Sequence, residues 1–192
     1  MLSPMVIDPS LLSADKIRPL TRLEYERMVE LGFFDEDEHI ELLEGVLVKM
    51  SPQGWQHAAV IQRISKVLSR GIDDALAVRT QLPFAATTYS EPEPDIAVVR
   101  DDRASRAHPR EALLIVEVAG DSLARDRDAK LSAYARARVP EYWIVNVEAM
   151  IVEVYTRPAR ARYARKQVLR DGDVLRPVKL PGIEIAVADL PR

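Results

Sequence analysis

The sequence predicts an α/β domain, a central mixed β-sheet flanked by helices, and three observations carry that expectation. An apolar run at Leu113–Val118, a helical pattern at Asp126–Arg138 and a second strand pattern at Glu141–Val147 form a strand-helix-strand unit. Parallel neighbours cannot be joined by a short hairpin, so such a unit of about 30 residues closes as a crossover. A hairpin signature stands earlier in the chain, and further strand patterns lie on both sides of the unit. The chain has 192 residues, 47% of them hydrophobic, enough to bury a real core, and predicts one domain over 1–192 with residues 1–18 as an extended N-terminal arm.

Thr21-Arg-Leu-Glu24 is a capping box, in which the threonine hydroxyl takes an orphan N–H and the glutamate reaches back to the cap, so a helix to about Leu31 follows. Ile40–Leu43 and Val46–Val48 flank Glu44-Gly45, and glycine supplies the positive φ of a tight hairpin turn. Ile61, Ile64 and Leu68 recur at helical spacing and predict a helix over about Gln56–Arg70, with Gly71 as its C-terminal cap. Helix, hairpin and helix form an N-terminal extension of the core. Strands are expected at Ala77–Thr80, Leu82–Thr87, Asp95–Val99 and Leu113–Val118, with an Arg- and Asp-rich loop over Arg100–Arg110. Val139-Pro140 ends the next helix, because proline disfavours helical geometry in the residue before it. Met150–Thr156 and Tyr163–Leu169 read as antiparallel strands, followed by a proline-punctuated tail beyond Arg176.

The absence of cysteine excludes disulfides and thiolate metal sites, leaving carboxylates and three histidines as metal donors. No signal-peptide pattern and no membrane-length apolar run is present, which predicts a cytoplasmic protein with no membrane partner. A net charge of -3 argues against bulk attraction to nucleic acid. The average conceals an asymmetry. Glu24–Glu44 carries nine acidic residues against Arg27 alone among Lys and Arg, whereas Arg157–Arg170 contains Arg157, Arg160, Arg162, Arg165, Lys166 and Arg170 with no acid. The latter reads either as a solvated hairpin or as a strand that tracks phosphates through Arg160, Arg162 and Arg165.

Glu117 lies inside the most apolar strand pattern, where an ionised carboxylate costs several kcal/mol unless a cation or dense hydrogen bonding faces it. A buried Arg or Lys partner and a metal ion both meet that need. Asp95 stands at the mouth of a second central strand, after Pro94, and two carboxylates from neighbouring strands can converge on a hard divalent cation. Lys130 follows on the next helix, with Asp126 and Tyr134 one turn to either side. It is either half of a surface i,i+4 pair with Asp126 or a long side chain reaching the same carboxylates. Glu41 adds a candidate carboxylate from the hairpin. His57 shares the apolar side of its helix with Ile61 and Ile64, as a hydrogen-bonded groove residue or a ligand.

These residues occur in the order Glu41-Leu-Leu-Glu-Gly45, Met50-Ser-Pro52, His57, Gln81, Pro94-Asp95, Glu117, Asp126-x-x-x-Lys130-x-x-x-Tyr134 and Val139-Pro-Glu-Tyr-Trp-Ile-Val145. The series resembles the Uma-type restriction-endonuclease-like family of the PD-(D/E)XK nuclease superfamily over about Leu20–Tyr155. The resemblance implies a restriction-endonuclease-like core and a Mg²⁺- or Mn²⁺-dependent endonuclease acting on DNA. It implies Asp95 and Glu117 as catalytic metal ligands, the Val118 carbonyl as a third, Lys130 as the basic catalytic group, and Glu41, His57 and Gln81 as accessory residues. The superfamily lysine stands two residues after the glutamate, where this chain has Ala119, so the resemblance further implies a lysine that has migrated to the helix. A homodimer would suit cutting of both strands. The alternative function is a non-catalytic nucleic-acid-binding or interaction protein that keeps the fold. A glycosidase using Asp95 and Glu117 as acid and base would leave Lys130 and the motif order unexplained.

Overall fold

The computed structural model describes residues 17–35, 37–50, 53–102 and 104–192. The expected N-terminal arm therefore lies largely outside the described residues, as do Ser51 and Pro52 of one family motif. Helix α1 (Arg22–Glu30) begins at the expected capping box: Thr21 accepts from the Glu24 amide, and the Glu24 side chain accepts from the Thr21 amide at 2.9 Å. Strands β1 (Ile40–Leu43) and β2 (Val46–Lys49) pair antiparallel through Glu44-Gly45, both at positive φ (49° and 80°), the backbone a two-residue hairpin of this hand requires.

Helix α2 (Trp55–Gly71) buries Val60, Ile61, Ile64 and Leu68, the stripe its 3.6-residue periodicity demands. Gly71 is not the cap expected from the sequence. The helix includes it and is capped at Ile72, and a Cβ on Gly71 would stand 2.6 Å from Ile183, so this glycine serves close packing against the C-terminal segment.

The main sheet has six strands in the order β3 (Leu76–Arg79), β4 (Ile96–Arg100), β5 (Leu114–Ala119), β6 (Glu141–Asn146), β7 (Ile151–Ala159) and β8 (Arg162–Leu169). β5 and β6 are parallel, as the strand-helix-strand unit predicted, and the other pairs are antiparallel. The strand expected at Leu82–Thr87 is absent. Its amides go to loop carbonyls instead, Phe84 to Pro92 and Ala85 to Pro109, while Pro83 has no N–H to offer a ladder.

Alternation along β5 divides the core. Leu114, Val116 and Val118 pack with α2, whereas Ile115 and Ala119 join Tyr134, Tyr142 and Tyr155 on the opposite face. Beyond β8, the tail pairs β9 (Val174–Leu175) with β10 (Ile185–Ala186) and places Leu175, Leu180, Ile183, Ile185 and Leu190 in the α2-side core. Apolar residues scattered between prolines are brought together by long-range packing that has no local period.

Glu91 supports the docking of α1. It is 2% exposed, its backbone bridges to Leu42, and Arg22 lies 3.7 Å from its carboxylate, with Glu26 beside them. Burial, reinforced by Glu26, holds the Glu91 carboxyl at about 7. Because the folded state keeps this proton to higher pH than the unfolded chain does, the protein loses stability as pH rises from the ordinary glutamate range through about 7. Glu91→Gln, neutral throughout, is therefore expected to melt near the parent at pH 5 and above it at pH 8, by on the order of a kcal/mol or more of relative stability. Thermal melts at the two pH values check this, and a constant difference would refute it.

Candidate active site

Glu117 points from β5 to the face shared by Ile115 and Ala119 and is 3% exposed. Its Oε1 accepts hydrogen bonds from the Lys130 ammonium at 3.1 Å and from the Tyr134 hydroxyl at 2.6 Å. Lys130 is itself 5% exposed and lies 3.3 Å from Glu41 Oε2, so one buried ammonium joins carboxylates from β5 and β1. Glu41 is fully buried, receives the Glu93 amide at 3.3 Å, and has Arg125 at 3.5 Å on its other oxygen. Lys130 is thus no surface partner of Asp126. The Asp126 carboxylate instead accepts from the Ser122 hydroxyl at 2.6 Å.

The helix carrying Lys130 departs from the regular Asp126–Arg138 helix expected from the sequence. A short α3 (Leu123–Arg125) leads into a π-helical turn, Asp126–Lys130, and then α4 (Leu131–Arg136). The cause is visible at the Asp126 carbonyl, which accepts the Tyr142 hydroxyl at 3.1 Å and the Leu131 amide. A hydroxyl inserted at that carbonyl displaces the normal i→i−4 bond and widens the turn. The widened turn buries Asp126 and Lys130 together at its two ends.

Asp95 precedes β4 and is held from two sides. Its Oδ2 accepts the Val118 amide at 2.7 Å, across the pair of strands, and its Oδ1 lies 3.0 Å from His57 Nε2 on α2. His57 is therefore a groove residue bonded to the aspartate. Gln81 meets the same segment through its backbone: its amide approaches the Pro94 and Asp95 carbonyls at 3.1 and 3.3 Å, from a residue with φ of 52° and an exposed side chain.

The charges are unbalanced. Glu41, Asp95, Glu117 and Asp126 are all buried around Lys130. Burial pushes the Glu117 carboxyl well above the usual range, with Lys130 opposing it and Asp95, Asp126 and Glu41 adding to it. Asp126 is raised for the same reason. Lys130 loses from burial, yet Glu117, Glu41, Asp126 and Asp95 more than offset this and hold its ammonium above the ordinary lysine range. Glu41 Oε1 and Asp126 Oδ1 are buried without a hydrogen-bond partner.

A hard divalent cation fits that surplus of anionic oxygen, with the carboxylate oxygens still carrying free lone pairs. Among the described residues no three His, Asp or Glu side chains are grouped to enclose an ion. Two carboxylates with a backbone carbonyl match an ion such as Mg²⁺, which keeps several of its waters.

The chain that carries this site has known relatives. The Uma2 family profile, described as "Putative restriction endonuclease", matches residues 23–188. The chain belongs to this family. Among solved structures, one titled as "a putative nuclease belonging to DUF820" from Anabaena variabilis ATCC 29413 superposes with a TM-score of 0.70 at 16% identity, covering 90% of this chain and 97% of that one. At that identity the likeness establishes the fold. No curated protein matches significantly.

Within this Uma2 chain, the sheet register identifies residues that sequence reasoning missed. Glu117, Ile144 and Glu153 are opposite one another on β5, β6 and β7 and so project from the same face. Buried Glu153 binds Arg127 of the π-turn through Oε1 at 2.5 Å and Lys166 of β8 at 2.9 Å. Although burial opposes it, these two cations and the Tyr155 hydroxyl bring the Glu153 carboxyl down to about 2. Lys166 also lies 5.2 Å from the Tyr155 ring centroid. Arg165, the preceding residue, projects to the opposite face by strand alternation, Arg162 opens β8, and Arg160 lies in the β7–β8 turn. Tyr134 was legible only as a helix residue near Lys130, and Arg125 lay just outside the expected helix. Their partners, Glu117 and Glu41, depend on how the sheet and hairpin assemble.

Proposed function

We propose that this Uma2 protein is a metal-dependent endonuclease that hydrolyses DNA phosphodiester bonds. The observation that carries the reading is the buried ammonium of Lys130, held between Glu117 and Glu41 in a site with more carboxylates than it can neutralise. A phosphodiester and its cation bring the charges that such a site needs: positive charge for the carboxylates and developing negative charge for the lysine.

In this reading Asp95 and Glu117 hold Mg²⁺ or Mn²⁺, with the Val118 carbonyl as a third donor. The ion would supply Lewis-acid chemistry, polarising a phosphate oxygen and acidifying water. Lys130 stabilises charge that develops on the phosphate, a role that depends on its being preorganised before substrate arrives. Glu41 holds the ammonium from the hairpin side, Tyr134 orients Glu117, and the His57 ring orients Asp95.

Two measurements test the proposal. Supercoiled DNA is expected to be nicked or linearised with Mg²⁺ or Mn²⁺ and left intact with a chelator. Calorimetric titration with Mn²⁺ is expected to give one site in the parent, weakened by tenfold or more in Asp95→Ala and in Glu117→Ala. If both variants bind Mn²⁺ as the parent does, the two-carboxylate site is wrong. If the parent binds DNA and Mn²⁺ but cuts nothing, the binding-protein alternative replaces catalysis.

A further inference from the structure

Away from these carboxylates, a cleft of about 450 Å³ opens where the end of α4 meets the β7–β8 turn, lined by Arg136, Arg138, Pro158 and Arg160 among others. Arg136 is bonded to Glu44 at 2.8 Å. Among the described residues Arg138 and Arg160 have no ion-pair partner, and both are exposed. Three guanidinium groups therefore border the opening, one of them paired with a carboxylate.

The backbone at these positions makes the arginines conspicuous. Arg138 has φ of 58° just after α4, where the Val139 amide returns to the Tyr134 carbonyl at 3.1 Å and the Arg138 amide to Ala135 at 3.1 Å. That double closure is the Schellman end of a helix, and the residue in the left-handed region is usually glycine. Arg160 has φ of 56° at the first position of the two-residue turn between Ala159 and Arg162, again a position where glycine, asparagine or aspartate is preferred. Chain reversal at either place needs no guanidinium. Both strained positions nevertheless carry arginine, and both side chains border the same cleft.

We propose that Arg136, Arg138 and Arg160 form a subsite for the phosphodiester backbone of a nucleic acid, on the side of the molecule reached along α4 from Lys130. The proposal rests on the nucleic-acid reading above and extends it. Planar guanidinium groups match phosphate oxygens in a bidentate manner. The Glu41 contact to Lys130 and the Glu44 contact to Arg136 run along one seam between the first hairpin and the helix. Lys130 and Arg136 are six positions apart, an axial rise of about 9 Å, comparable to two or three nucleotide rises of a strand. A strand that follows this seam from the candidate active site therefore runs toward the cleft.

The test is anisotropy of a labelled DNA duplex, measured in chelator so that cleavage does not intervene. Arg138→Gln with Arg160→Gln is expected to weaken binding on the order of tenfold near physiological salt and to reduce the slope of log K against log salt by about 2. Arg63→Gln with Arg176→Gln removes the same charge from arginines paired with Asp189 and Glu184, and is expected to change neither quantity. Arg138→Gly relieves the positive φ, so it is expected to raise the melting temperature while still weakening DNA binding. Unchanged binding in the cleft variants, equal losses in the control pair, or a parent that binds no nucleic acid would each overturn the subsite. A parent that binds DNA through the cleft arginines but never cuts it supports the subsite and removes the nuclease reading. One that cuts DNA while the cleft variants bind normally removes the subsite alone.

Discussion

Lys130→Met is expected to lower the rate of DNA cleavage on the order of a hundredfold or more, because it removes the preorganised ammonium that faces the candidate metal carboxylates. Read from the sequence, a helix lysine with an aspartate one turn away is removable without cost to the fold. Its burial between Glu117 and Glu41 changes that expectation, since methionine leaves buried Glu117 without its cation and buried Glu41 with Arg125 alone at 3.5 Å. Breaking a buried pair in this way costs about 3–5 kcal/mol. The loss should depend on pH. Glu117 already binds its proton more tightly than the unfolded chain does, and without Lys130 that tendency grows. The variant therefore recovers toward the parent in acid, where the carboxylates are neutral, and falls furthest behind above the raised folded value. Thermal melts from pH 5 to 8 and single-turnover cleavage at saturating Mg²⁺ check the two halves. Adding Ala119→Lys returns an amine to the face of β5 that carries Glu117, so it should recover part of the cleavage. Normal cleavage by Lys130→Met would eliminate the migrated-lysine mechanism.

Glu117→Gln should produce the opposite pattern of stability at the same place. The amide is nearly isosteric, removes a carboxylate whose burial strongly disfavours its charge, and leaves Lys130 paired with Glu41. Replacing a buried charge while its partner stays compensated is close to neutral for folding, so melting at neutral pH should equal or exceed that of the parent. Cleavage and Mn²⁺ affinity should nevertheless collapse, the former by on the order of a hundredfold to a thousandfold, because the amide is a poor ligand for a hard cation. A stable, metal-binding and active Glu117→Gln would place the chemistry elsewhere. Together the two variants separate a residue held in the core for stability from one held there against it.

Much of the candidate site was legible because its residues violate local expectation. A glutamate inside Leu-Leu-Ile-Val-Glu-Val demands a partner wherever the strand lies, and an aspartate after two closely spaced prolines at a strand mouth is similarly exposed as unusual. The identity of the partners was not legible in the same way. His57 reads as one polar residue on an apolar helix side until α2 packs across the sheet and brings its ring to Asp95. The π-turn had no local signal, since it depends on a hydroxyl sixteen residues downstream from Asp126. The predicted strand at Leu82–Thr87 failed for a related reason: loops rather than a strand supplied the backbone partners, and Pro83 has no N–H to offer a ladder.

By itself the sequence determined the elements whose causes lie within one turn or one hairpin. These are the Thr21 capping box, the Glu44-Gly45 reversal, the apolar stripe of α2 and the parallel strand pair around the Lys130 helix. It also determined that Glu117 would be buried. Periodicity states which side of a strand or helix is covered, but not which element covers it. Only the tertiary structure decided that Lys130 serves Glu117 and Glu41, that Gly71 yields to Ile183, and that Glu153 gathers Arg127 and Lys166 on the site's face. Each of those contacts joins residues whose separation is set by strand order and register, and their energies exist only once the sheet has brought the charges out of water together.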